Sequence, residues 1–499
     1  MKILLFISFI IVSSVSFATT WNVGPGQTYT MPSQLVALVQ NNDTILIFGG
    51  IYLNDASIWD KKNLVFIGLG TGANRTILRH STDIPNGKGI FVFESPNLAD
   101  NPTILNIVFD GAQVSDADGA NGAGIRFQAR NLTVRNCKFM NCQNGILEGN
   151  AIVSASEVLV EDSEFENNGY QLPDDPTYSG FAHNLYISAS TVVFTLRNCY
   201  LHHPRGQANS IKTRALMNFI EYNFIDEGST GYGSYELNIA QGGMCAVIGN
   251  VFIQGSSGAN HAIIGYDSVT NPMQDFYFVN NTVINRFVGN VRLFNITPSS
   301  GINVFKVYNN IFASVPGATN SWFGSNTPAF LDSTNNVFSA NFLSLNFLDG
   351  TNSNFHLTGG STSAIDQATN PGSTSTMYPL TPFYQYVNFS LPMSLRNNVG
   401  LGMDIGAFEF TNGLGTNALE VPKIMSIYPN PSKGLFMIEK NQNIQEIEIF
   451  TLDGKPILFE RNQKMENTEI KIDRSGVYIL KAQLKDGSII SQKLIVELN

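Results

Sequence analysis

The chain has 499 residues, 43% apolar and only 14% charged, with a formal net charge of −10. That charged share is far below the roughly 25% of an average soluble domain; Asn, Ser, Thr, Gly and Phe stand in its place, which suits many short strands that pair through their backbones. Residues 19–422 carry 17 Lys plus Arg against 29 Asp plus Glu, and residues 424–499 carry 10 of each, so the acidic body excludes nucleic acid as the main partner and admits a polyanion only at a local basic patch.

Residues 1–18 read as a secretory signal peptide. Lys2 supplies the positive start, residues 3–12 an apolar run, and Ser16-Phe17-Ala18 a small-residue cleavage site. The run is too short for a membrane anchor, and no other stretch is long enough to span a bilayer. Pro32 then opens a short amphipathic helix with Leu35, Leu38 and Val39 on one face. This predicts an N-terminal helical cap over the open end of a repetitive structure.

The repeat itself follows. Segments of the form x-Asn-x-x-apolar recur at Asn106, Asn136, Asp162 (in place of Asn), Asn198, Asn223, Asn250, Asn281, Asn310 and Asn336, at spacings of 30, 26, 36, 25, 27, 31, 29 and 26 residues. A period in this range, built on strands and turns, predicts a solenoid whose coils bury their apolar faces only by stacking. Asn tolerates the left-handed conformation at a bend, and stacked amides form a ladder.

Each coil pairs a strand leading to the ladder with a first strand: residues 124–129, 150–155, 184–189, 210–215, 236–241, 262–267 and 290–295. Four- to six-residue strands with period-two alternation predict a parallel β-helix over residues 19–410. The four cysteines do not look like a disulfide framework: Cys137 and Cys142 are near enough in sequence to pair locally, and the favoured reading is four buried thiols.

Alternation sorts the first strands into two faces. Ile125, Phe127, Leu185, Ile187, Ile211, Thr213, Leu237, Ile239, Val291 and Leu293 point inward. Arg126, Tyr186, Lys212, Asn238, Ile264 and Arg292 form one outward column, and Gln128, Ser188, Arg214 and Tyr266 a second. Glu236 is outward at the start of its strand, and His183, His202, His203 and Arg205 lie in loops beside this face.

Lys212 and Arg214 share that face about 6.8 Å apart. Arg clamps a carboxylate bidentately, and Lys beside another cation loses its proton and becomes a base. The pair therefore points to abstraction of the proton α to a uronate carboxylate, followed by β-elimination. Lys212 and Arg214 are the catalytic candidates. Arg126, Tyr186, Glu236, Asn238, Tyr266 and His202 are the substrate-binding candidates. A hydrolase ranks lower, because it needs opposed carboxylates about 5–9.5 Å apart and only Glu236 and Asp267 are available.

No metal ligand set is legible. His202-His203 lacks a third ligand at metal spacing. Asp116-Ala117-Asp118-Gly119 starts like a calcium loop, but Phe127 stands where the twelfth-position Glu belongs. Asp174-Asp175 forms a second acidic loop, so calcium is the one cofactor left open.

The strand pattern and coil length resemble the right-handed parallel β-helix proteins, and Asp404-Ile405-Gly406-Ala407-Phe408-Glu409 resembles the closing segment of exported members. Asn209-Ser210-Ile211-Lys212-Thr213-Arg214, with Asn218, Asn223 and Gly228, resembles the catalytic coil of the alginate lyase and chondroitinase B family. That resemblance implies Lys212 as base. It also implies an Arg acid on the next coil, where this chain has Asn238, and this departure leaves room for a non-catalytic glycan-binding or adhesion protein.

Residues 411–423 are a Gly/Asn-rich linker. Residues 424–499 carry Ile427-Tyr428-Pro429-Asn430-Pro431, Gly434, Ile449-Phe450-Thr451-Leu452-Asp453-Gly454 and Gly476-Val477-Tyr478-Ile479-Leu480. These motifs closely resemble the C-terminal sorting domain of type IX secretion substrates in Bacteroidota. They imply a small β-sandwich, recognition by that secretion machinery, and a secreted or cell-surface protein; the outward Lys, Arg and Tyr residues of the β-helix make a polysaccharide its expected partner.

Overall fold

Left-handed asparagines make the corners. Asn106, Asn136, Asp162 and Asn198 have φ of +59°, +50°, +50° and +51°, a region that Asn and Asp enter at least cost among residues with a Cβ. Each is followed by a buried residue at or immediately before the start of a new strand. The computed structural model describes residues 18–94, 101–149, 156–170, 181–267, 270–297, 301–411, 425–428, 432–440, 444–451, 456–461, 468–484 and 489–496. The chain divides into two compact units, Met1–Asn412 and Gly413–Asn499.

The first unit is a parallel β-helix. Among the described residues its three long sheets hold 12, 11 and 10 strands. One coil runs through Leu132–Arg135 in the first sheet, Lys138–Met140 in the second and Asn144–Glu148 in the third. Ten coils among the described residues therefore have three strands where the sequence suggested two: the apolar residue after the corner belongs to a strand of its own, Phe139 for example. The third-sheet strand of this coil is Asn144–Glu148 and not residues 150–155, which lie outside the described residues.

The asparagine series resolves into two adjacent ladders. The outer one holds left-handed residues: Asn136 Nδ2 donates to Asn106 Oδ1 at 3.1 Å, and Asn198 Nδ2 to Asp162 Oδ1 at 2.7 Å. At Asn223 the motif steps one residue inward. Asn223, Asn250, Asn281, Asn310 and Asn336 then form a second ladder, Nδ2 to Oδ1 at 2.9, 3.0, 3.1 and 2.9 Å. Upstream, the inner position holds Cys137, Ser163 and Cys199. All four cysteines are free and buried.

The interior is aromatic. Phe109, Phe139 and Phe165 stack at 5.1 and 4.8 Å from coil to coil, because parallel register places equivalent side chains one above another. At the N-terminus the structure corrects the expected helical cap. Pro32–Leu35 forms only a four-residue 3₁₀ turn. Leu35 and Val39 are buried as expected, but Leu38 is exposed.

The end of this unit lies along the side of the solenoid. Ile405, Ala407 and Phe408 pack with Val251, Ile253, Ile284, Ile311 and Ala313 of the second sheet. Leu380 packs with Met244 and Tyr277 of the first and with the corner residue Tyr222. Arg396 locks the segment: it donates to Glu409 at 2.9 Å and to the carbonyls of Gly406 and Asp404, both at 2.8 Å. Among the described residues this segment thus packs on the first and second sheets and not on the third.

The second unit holds two antiparallel sheets, of three and four strands among the described residues. Phe436 and Ile470 from one and Ile447, Ile449, Leu480 and Leu494 from the other share one buried cluster.

Candidate functional site

The third sheet brings Arg126, Tyr186, Lys212 and Asn238 into one column. Arg126 pairs with Leu147, Leu147 with Tyr186, Tyr186 with Lys212, Lys212 with Asn238, Asn238 with Gly265 and Gly265 with Asn295. One strand separates Arg126 from Tyr186, as the sequence implied, and it is Asn144–Glu148.

Lys212 is half-buried, with no hydrogen bond or ion pair to another described residue. Its ammonium is held below the usual lysine range by burial and by Arg214, against an opposing pull from Asp267. The Arg214 guanidinium lies over the Tyr186 ring, 5.9 Å from its centroid. Tyr186 in turn stacks on His183 at 5.6 Å. His183 heads the strand His183–Ile187, so it is not a loop residue, and burial with Lys212 and Arg214 nearby keeps it neutral, well below its ordinary value. Burial also raises the Tyr186 phenol, which keeps its proton. Four buried polar atoms of this face, Arg126 Nε, Gln128 Oε1, Arg214 Nε and Asn238 Oδ1, have no hydrogen-bond partner among the described residues. Buried polar groups are otherwise almost always paired, so this face suits a polar ligand.

Three expected site residues lie elsewhere. Leu237 pairs with Ile264, and this register moves Ile264 and Tyr266 inward by one position. Tyr266 is 1% exposed, and its hydroxyl donates to the Gly243 carbonyl and Gln274 Oε1, so it is a core residue and not a groove wall. Glu236 is 3% exposed at the bend into its strand and not outward. There it shares burial with Glu227 and Asp226, which drives its carboxyl well above the usual range, burial being the larger cause. His202 ends the strand Tyr200–His202 of the second sheet; it is not on the third-sheet face.

His202 does meet ligands that its sequence neighbours could not reveal. Its Nε2 lies 3.1 Å from Glu164 Oε1, and its Nδ1 lies 2.8 Å from His203 Nδ1. Glu164, Glu166 and His202 converge as a potential metal set. Lys138 Nζ already sits between the two carboxylates, at 3.2 and 2.5 Å, and supplies the cation there. The sequence missed this cluster because its members come from three successive coils. In the suspected calcium loop, Asp116–Asp118 is a 3₁₀ turn closed by Ser115. There Ser115 Oγ donates to Asp118 and Tyr170 to Asp116. Asp174-Asp175 lies outside the described residues.

Asn238 and Asp267 complete the face. Asn238 Nδ2 donates to Asp267 Oδ2 at 3.1 Å. Burial raises the Asp267 carboxyl above its ordinary value, although Asn238 and Lys212 pull it down.

Solved structures similar to this chain include pectate lyase Pel9A (TM-score 0.48, 14% identity, 80% of this chain and 98% of that one). Also similar are the PL6 family alginate lyase AlyGC (TM-score 0.35, 13% identity, 64% of this chain and 40% of that one) and a variant of the same lyase (TM-score 0.37, 15% identity, 66% and 41%). The chain thus spans less than half the length of the alginate lyase it matches. No curated protein matches. No helix among the described residues is long and apolar enough to cross a membrane. Residues 426–497 match the family model described as a secretion system C-terminal sorting domain. A parallel β-helix thus precedes a type IX secretion sorting domain, and the protein is exported to the cell surface or secreted.

Proposed function

We propose that the β-helix unit is a polysaccharide lyase acting on an acidic polysaccharide by β-elimination across the third-sheet face. The observation that carries this reading is Lys212: a half-buried amine without an ion-pair partner among the described residues, its proton weakened by burial and by Arg214, on the sheet face against which the described part of the C-terminal segment does not pack. Lys212 takes the proton at C5 of a uronate. Arg214 and Arg126 hold carboxylates, the Arg126 guanidinium being itself partly desolvated. Tyr186, braced between Arg214 and His183, lines the groove. The inward turn of Glu236 removes one of the two carboxylates that a hydrolase on this face needs.

The test is ultraviolet absorbance of the conjugated C4=C5 double bond while the exported protein is incubated with alginate, pectate and chondroitin, with calcium or with a chelator. Lys212→Ala should lower turnover about 10²–10⁴-fold, the usual worth of a general base, while leaving glycan binding in place. A Lys212→Ala protein with full turnover removes Lys212 from the mechanism. A second reading, a non-catalytic surface glycan binder, is favoured by Asn238 at the position where the resemblance assigns an arginine. It predicts binding with no absorbance change on any substrate.

A further inference from the structure

We propose that Asp267 is the acid that protonates the leaving glycosidic oxygen, a role that rests on the lyase reading of the same face. Asp267 lies two coils from Lys212 and two positions further along the strand. With coils about 4.8 Å apart and residues about 3.4 Å apart along a strand, the two Cα atoms are separated by roughly 12 Å. Two side chains rising from the same face at that spacing both reach the underside of one sugar ring laid over Asn238.

Asn238 stands between them and prepares the acid. Its Nδ2 occupies Asp267 Oδ2, which leaves Oδ1 to carry the proton. A carboxamide cannot itself act as the acid, so Asn238 is a positioning residue and Asp267 the donor. Other carboxylates near this face are otherwise engaged. Glu236 is turned into the bend. Glu148 faces the interior, where Ser188 and Thr191 bond it. Glu94 pairs with Lys88 at 2.9 Å. The environments push the two partners in opposite senses, Lys212 toward the free amine and Asp267 toward the neutral acid. That divergence is what separates a base from an acid at one pH.

The step balances without an added reactant. Lys212 takes the C5 proton and becomes an ammonium. The C5–H electron pair forms the C4=C5 bond. The C4–O4 bond breaks with its pair going to oxygen, and the Asp267 proton goes to that oxygen. The ammonium and the carboxylate then exchange a proton through solvent. Both groups approach from one side of the sheet, so the geometry suits uronates whose H5 and O4 lie gauche. Those are rings with an equatorial O4, such as mannuronate, and not rings with an axial O4, such as galacturonate.

The experiment compares wild type, Lys212→Ala and Asp267→Asn on polymannuronate, on polygalacturonate and on a uronate bearing a 4-O-dinitrophenyl leaving group. Asp267→Asn keeps the shape of the side chain, and a thermal melt checks its fold. It should lower kcat on polymannuronate about 10²–10⁴-fold with little change in KM, and should abolish the alkaline limb of the kcat profile. It should nearly match wild type on the dinitrophenyl substrate, whose leaving group needs no proton. Full activity of Asp267→Asn on the polymer, with Lys212→Ala inactive, overturns the acid assignment alone. Equal losses on polymer and activated substrate also overturn it. A wild type inactive on every substrate overturns the lyase reading and this one together.

Discussion

Replacing Asn250 by Ala should be one of the most damaging single changes in the solenoid. Its side chain is fully buried. Nδ2 donates to the carbonyls of Ile220 and Ile248 and to Asn281 Oδ1, at 2.8, 3.2 and 3.0 Å, while Oδ1 accepts from Asn223 N and Nδ2, both at 2.9 Å. Alanine leaves the Asn223 amide hydrogen buried and unpaired, at a cost of about 1–3 kcal/mol, and removes one of the bonds to the Ile220 carbonyl, at about 1 kcal/mol, so the sum is about 3 kcal/mol. The outer ladder provides the control. Asn136 is exposed at φ +50°, so Asn136→Gly keeps the conformation and should cost under about 1 kcal/mol. The assay is urea unfolding of the full mature chain, followed by near-ultraviolet circular dichroism, with both variants side by side. An Asn250→Ala midpoint as close to wild type as that of Asn136→Gly would refute the claim that the inner ladder carries the coil-to-coil bonding.

Two further outcomes follow from burial. Burial raises the Glu227 carboxyl from 4.5 to about 8 and that of Glu148 to about 7. A raised acid favours the protonated fold, so its contribution is complete below the unfolded value near 4.5 and is lost as pH rises toward 7–8. Melting temperature should therefore fall over that window, and Glu227→Gln should flatten the fall; an unchanged slope contradicts the assignment. The four thiols are buried, with Cys137 and Cys142 pushed up to about 12 by burial, so iodoacetamide should label none in the native protein and all four in urea. Native labelling at Cys137 would show that the corner opens.

The coil period, the left-handed corners and the inward alternation of Ile125, Phe127, Leu185 and Ile211 were legible because each is a local property: a residue type that tolerates positive φ, or a period of two. The C-terminal motifs were legible for the same reason. Tyr266, Ile264 and Glu236 were misread because strand register is not local. A one-residue shift of Ala262–Asp267 against Leu237–Ile239 exchanges core and surface, and nothing in either strand alone announces it. The step from outer to inner ladder at Asn223 was hidden likewise, since both positions hold asparagine.

By itself the sequence determined that coils of 25 to 36 residues stack in parallel and that an exported sorting domain follows, while the structure showed that all four thiols are unpaired. Only the tertiary structure decided which polar residues share a face. Residues 26 to 29 apart in the chain, such as Lys212, Asn238 and Asp267, become neighbours only once inter-coil hydrogen bonds set the register. That same register sent Glu236 and Tyr266 inside and left Asp267 on the same face as the lysine.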